Sequence, residues 1–112
     1  MAEEAGTTVL AIGGRRGEAY RVSPWELYGA AIPYDRAGDY EQAAAVAARG
    51  LEVYPGHPSI LYNLACFEAK AGRRDDALTH IRQALEGDPK LARYAAEDPD
   101  FDSIRDDPAF PR

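Results

Sequence analysis

The sequence predicts a mainly α-helical chain: two antiparallel helical hairpins, a C-terminal capping helix, and a short β-hairpin in front. Three observations predict this. The chain matches itself when shifted by 34 residues. Its apolar positions recur at the spacing of one helix face. Glycine and proline punctuate both copies at matching places.

The self-match needs no gap. Pro24 falls on Pro58, Leu27 on Leu61, Tyr28 on Tyr62 and Ala31 on Ala65. Ala37-Gly38 falls on Ala71-Gly72, Ala43 on Ala77, Leu51-Glu52 on Leu85-Glu86, and Pro55 on Pro89. Ten of 34 positions are identical, and they are small, apolar or turn positions. The units span residues 24–57 and 58–91.

In the first unit, Ser23 can cap a helix, Pro24 suits its first position, and Glu26 can complete a capping box. Leu27, Ala30, Ala31 and Tyr34 follow at helical spacing, and Gly38 ends the run. Asp39 then caps a second helix carrying Ala43, Ala47, Gly50 and Leu51, which stops at Tyr54-Pro55-Gly56. Pro33 lies inside the first helix. It lacks a backbone donor and crowds the carbonyl four residues back, which belongs to Gly29. A kinked but continuous helix is expected, and a break near Ile32 is the alternative. The second unit repeats the plan: Leu61, Leu64 and Ala65, then Gly72, then Ala77, Ile81, Ala84 and Leu85, with a stop at Gly87-Asp88-Pro89. Alanines at 31, 65, 43 and 77 let paired helices approach closely.

The run Leu61-Tyr62-Asn63-Leu64-Ala65, followed by Gly72, Ala77, Ala84-Leu85 and Pro89, resembles the tetratricopeptide (TPR) repeat over a full unit. The first unit departs from the family pattern, with Ala30 where Leu is usual and Gly50 where Ala is usual. The resemblance implies a protein-binding module and no catalytic activity. It also implies an inner groove lined by the first helix of each hairpin. By register, that groove would present Trp25, Tyr28, Gly29, Ile32 and Arg36 from the first unit, and Tyr62, Asn63, Cys66 and Lys70 from the second. Aromatic and arginine side chains favour binding hot spots. The competing expectation is that Trp25 and Tyr28 pack beneath the N-terminal segment.

That segment, residues 1–23, reads as an arm. Residues 7–12 are β-rich, Gly13-Gly14-Arg15-Arg16-Gly17 is a turn, and residues 18–22 form a second short strand. A lone hairpin is marginal in water, so it needs a surface, a second chain or a larger sheet. Residues 6–14 resemble the last strand of cupin-type barrels, which some bacterial proteins join to such repeats. The barrel's His-rich metal motifs are absent from the sequence, so no cupin activity is carried over. At the other end, residues 92–112 start a third repeat and abandon it at Asp98-Pro99. Phe101, Ile104 and Phe110 then offer apolar anchors for a cap, which a repeat array needs over its last face. Deleting residues 91–112 is expected to lower solubility or melt the domain.

Charge narrows the function classes. The net charge is −6, with zero over residues 1–23, −3 over 24–91 and −3 over the last 21 residues. A chain without a Lys/Arg excess is not expected to bind nucleic acid. No apolar run approaches membrane-spanning length. One cysteine permits no intrachain disulfide, and a cytoplasmic location is the default expectation. Asp98, Asp100 and Asp102 alternate like a calcium loop, but Ser103 and Ala109 stand where such a loop needs Gly and Glu. Helix capping is the simpler reading of these aspartates. Cys66, His57 and His80 show no ligand or triad spacing, so no catalytic residue, metal or cofactor is expected. The expected partner is a protein or peptide segment. A homodimer, or a role as regulatory appendage of a cupin-type enzyme, is the alternative.

Overall fold

The computed structural model describes residues 23–111. The expected N-terminal β-hairpin and its cupin-like strand lie outside the described residues. Four helices dominate: α1 (Pro24–Arg36), α2 (Tyr40–Val53), α3 (Pro58–Lys70) and α4 (Arg74–Gly87). The register shows in their lengths: α1 and α3 have 13 residues each, and α2 and α4 have 14 each. Each helix packs on the next, and α1 also touches α3. Short connections make consecutive helices antiparallel neighbours.

Local chemistry sets the boundaries. Ser23 Oγ accepts from the Glu26 amide at 3.1 Å, and the Ser23 amide donates to Glu26 Oε1 at 2.9 Å. This reciprocal capping box satisfies two otherwise orphaned donors. Ser23→Ala is expected to cost about 1 kcal/mol, read as a lower urea midpoint at unchanged slope. The continuous-helix expectation at Pro33 holds, because α1 runs through Pro33 to Arg36. The Ala37 amide still reaches the Pro33 carbonyl at 3.1 Å.

Both first helices end the same way. The amides of Asp39 and Arg73 reach back to the Tyr34 and Glu68 carbonyls at 2.8 Å. Gly38 and Gly72 sit between at φ +79° and +85°, a left-handed geometry that glycine adopts at least cost. The structure also accounts for Gly50. A Cβ there would lie 3.0 Å from Leu27 Cδ1 and 3.4 Å from Ile60 Cγ2, so alanine would require both side chains to give way. The matching Ala84 is fully buried.

Two core clusters run along the array, with half-buried Leu51 packed against both. Ala31, Ala43, Ala44, Val46 and Ala47 pack with Leu64 and Phe67 of the second hairpin. Leu61, Ala65, Ala77, Leu78 and Ile81 pack with Ala95, Phe101, Ile104 and Phe110 of the C-terminal segment. The C-terminal segment packs on this cluster with little regular helix. Pro89–Leu91 is a 3₁₀ turn, α5 (Ala92–Ala95) is a single turn, and Pro99–Phe101 is another 3₁₀ turn. α5 begins 34 residues after Pro58, so the third unit starts in register before Asp98-Pro99 redirects the chain. Arg74 ties the cap to α4, with Nε 2.9 Å from Asp107 Oδ2 and a terminal nitrogen 2.9 Å from the Ser103 carbonyl.

Candidate functional site

α1 and α3 share one face, and the C-terminal segment divides it into two halves. In one half, Trp25 and Tyr28 of α1 face His57, Ser59, Tyr62 and Asn63 around the start of α3. Leu91, at the end of the second unit, and Tyr94, from the third-unit stub, close the far side. Together they line an open groove of about 900 Å³, at the upper end of the size range of ligand pockets. Trp25 is 82 % exposed and Tyr94 61 %. Exposed aromatics in a cluster are unusual enough to mark an interaction surface.

His57 has a structural role here as well. Its Nδ1 accepts from the Ser59 amide at 3.2 Å, capping α3. That bond leaves the neutral ring's proton on Nε2, as a donor.

The other half is filled by the chain itself. Tyr62 donates its hydroxyl to Asp98 Oδ2 at 2.7 Å, and its ring meets Phe101 edge-on with centroids 5.4 Å apart. Cys66 is buried, with Sγ 3.9 Å from Asp98 Oδ2. Lys70 pairs with Asp35 and lies 3.5 Å from Asp100 Oδ1. Asp98 also caps the turn after it, its Oδ1 accepting from the Asp100 amide at 3.0 Å. Capping, the simpler reading of these aspartates, is thus what Asp98 does.

The electrostatics follow from this packing. Burial raises the Tyr62 hydroxyl above its ordinary range, and the bond to Asp98 adds to it. Burial raises the Cys66 thiol too, with the nearby Asp98 and Asp100 charges contributing, which makes a poor nucleophile. Burial raises Asp100, against the opposing pull of Lys70. For Lys70, burial acts downward, but the Asp35 hydrogen bond and the Asp100 charge outweigh it and the net shift is upward. Ligand atoms of Cys66, Asp98 and Asp100 lie within 4.8 Å of one another. Tyr62 and Lys70 already engage the two carboxyls.

Register therefore brought four of the expected groove residues, Trp25, Tyr28, Tyr62 and Asn63, to one opening. It did not bring the other five. Gly29 and Arg36 are exposed elsewhere on α1 and Ile32 is half-buried, while Cys66 and Lys70 lie under the C-terminal segment. Five lining residues were not anticipated: Pro24, His57, Ser59, Leu91 and Tyr94. Ser59 was legible, since it stands 34 residues after Trp25. Leu91 and Tyr94 were not, because their positions depend on where the abandoned repeat turns.

A pair of stacked helical hairpins with an open face on the first helices defines a helical-repeat scaffold. The chain belongs to the tetratricopeptide repeat family, whose model matches residues 36–97, more than half of its length. Repeats of this family generally mediate protein–protein interactions and generally have no catalytic role. Comparison with curated proteins and with solved structures returns no match. Among the described residues, no helix is long and apolar enough to cross a membrane.

Proposed function

We infer that this chain is an adaptor that binds a peptide or protein segment in the groove between Trp25, Tyr28, Tyr62 and Asn63. The observation that supports this reading is the groove itself: aromatic side chains from both repeats and from the cap line one opening, and Trp25 is left exposed beside it. Aromatic anchors of this kind dominate binding energy, because they bury large area at low entropic cost. Ile32, Arg36, Cys66 and Lys70 contribute to the same face at second hand. Lys70 and Cys66 hold the C-terminal segment that walls the groove, and Ile32 and Arg36 extend α1 beyond it.

Tyr28→Ala tests the reading cleanly, since Tyr28 is exposed and makes no part of either core cluster. Partner affinity is expected to fall about tenfold, equivalent to about 1.4 kcal/mol, while the melting temperature stays within a degree or two. Tyr62 is a poorer choice, because removing it also frees Asp98 and Phe101. Unchanged affinity in Tyr28→Ala, measured by calorimetry with the purified partner, would place the site elsewhere.

A further inference from the structure

Resting on the groove reading above, we propose that the segment bound there is extended, uncharged and proline-bearing, held in a polyproline II conformation across Trp25, Tyr28 and Tyr94. Three features of the lining carry this. First, none of the nine lining residues is Lys, Arg, Asp or Glu. A charged side chain entering the groove would lose hydration with no opposite charge to receive it. Lys70 on this face is engaged in the other half, where it meets Asp35 and Asp100.

Second, every polar group on the lining can donate a hydrogen bond to a backbone carbonyl. These include the Asn63 amide, the hydroxyls of Tyr28, Tyr94 and Ser59, and the Nε2–H of His57. A polyproline II segment has no internal hydrogen bonds and leaves its carbonyls free to accept. A helical ligand satisfies its own backbone and would offer these donors few acceptors. Strand addition is excluded on this face, which is made of helices.

Third, the apolar part of the lining is mainly aromatic: Trp25, Tyr28, Tyr62 and Tyr94, with Pro24 and Leu91 beside them. Flat aromatic faces are what proline rings pack against in grooves that read proline-rich segments. Such a segment is already stiff, so binding orders little that was free. At about 3.1 Å per residue, a short stretch of it spans the groove.

Trp25 is the chain's single tryptophan, so its emission reports on this groove alone. The full chain is titrated with four peptides of equal length: decaproline, an uncharged alanine–glutamine helix former, an acidic peptide and a basic peptide. Decaproline is expected to shift Trp25 emission to shorter wavelength with saturation, and the other three to bind at least about tenfold more weakly. Tyr28→Ala and Tyr94→Ala, both at exposed rings, are each expected to weaken decaproline about tenfold. Equal or tighter binding of the helical or a charged peptide, lost in Tyr28→Ala, would overturn the proline assignment and leave the groove reading intact. Absence of decaproline binding overturns the assignment too. Decaproline binding that survives both tyrosine changes would move the site away from the groove and overturn both. If removing residues 1–22 shifts resting Trp25 emission to longer wavelength, the chain's own N-terminal segment is the occupant and the proposal fails.

Discussion

Phe101→Ala is expected to destabilise the protein by about 3–5 kcal/mol, the usual cost of emptying a fully buried phenylalanine site. Phe101 is 0 % exposed and lies in the larger core cluster with Ile81, Ala95, Ile104 and Phe110. Its ring meets Tyr62 edge-on and Phe110 at 5.7 Å between centroids. The cap supplies few regular hydrogen bonds of its own, since its helical pieces are one turn each. Apolar anchoring therefore has to hold it, and Phe101 is the central anchor. In a domain of this size the loss corresponds to a fall in melting temperature of about 15–30 °C. Tyr94→Ala, at an exposed ring in the same segment, is the control and should change stability by less than about 0.5 kcal/mol. Equal melting of Phe101→Ala and wild type would mean that the cap does not stabilise the array.

The second large effect concerns the pair Glu68 and His80. Glu68 on α3 is 2 % exposed, the one buried charged residue among those described. His80 Nδ1 on α4 lies 2.7 Å from its Oε1, and an Arg73 terminal nitrogen lies 3.8 Å from its Oε2. The hydrogen bond to Glu68 raises His80 above its usual value, against the opposing effect of burial. A histidine whose folded value is raised adds stability that is complete below its unfolded value near 6.5. That stability is lost as pH rises through the folded value. Stability is thus expected to decline on going from slightly acid to mildly alkaline solution. His80→Ala should remove this slope and cost about 2–3 kcal/mol at pH 6, because it strips a buried carboxyl of its nearest partner. Replacing both residues with leucine should recover most of that loss. Denaturant titrations of the three proteins between pH 5.5 and 8.5 provide the check. A pH-independent wild type would show that the pair does not couple helix packing to protonation.

The hairpins were legible in the sequence because their determinants are local and repeated. Ser23 with Glu26, Asp39 with Gln42, and the glycines at 38 and 72 each act within one turn of chain, and the 34-residue register confirms one copy against the other. The apolar anchors Phe101, Ile104 and Phe110 were legible too, as side chains in an acidic stretch that had to go somewhere. What could not be read was where that stretch goes. Asp98 reaching Tyr62, and Asp100 reaching Lys70, join residues 36 and 30 positions apart. No periodicity encodes such pairings, which depend on the angle at which the abandoned third repeat turns. For that reason register alone assigned Cys66 and Lys70 to the open groove and left out Tyr94. The Glu68–His80 pair was hidden for a related reason. Glu68 follows Phe67 on α3, and only packing against α4 reveals that it points inward.

Paired site-specific crosslinking locates the bound segment on the chain. A photoreactive residue is placed at Trp25, inside the proposed groove, or at Arg36, exposed on the same helix but outside it. Both forms are mixed with the purified partner and irradiated. A one-to-one adduct is expected from position 25 and none above background from position 36. Equal crosslinking from both positions, or an adduct from position 36 alone, would contradict the groove reading.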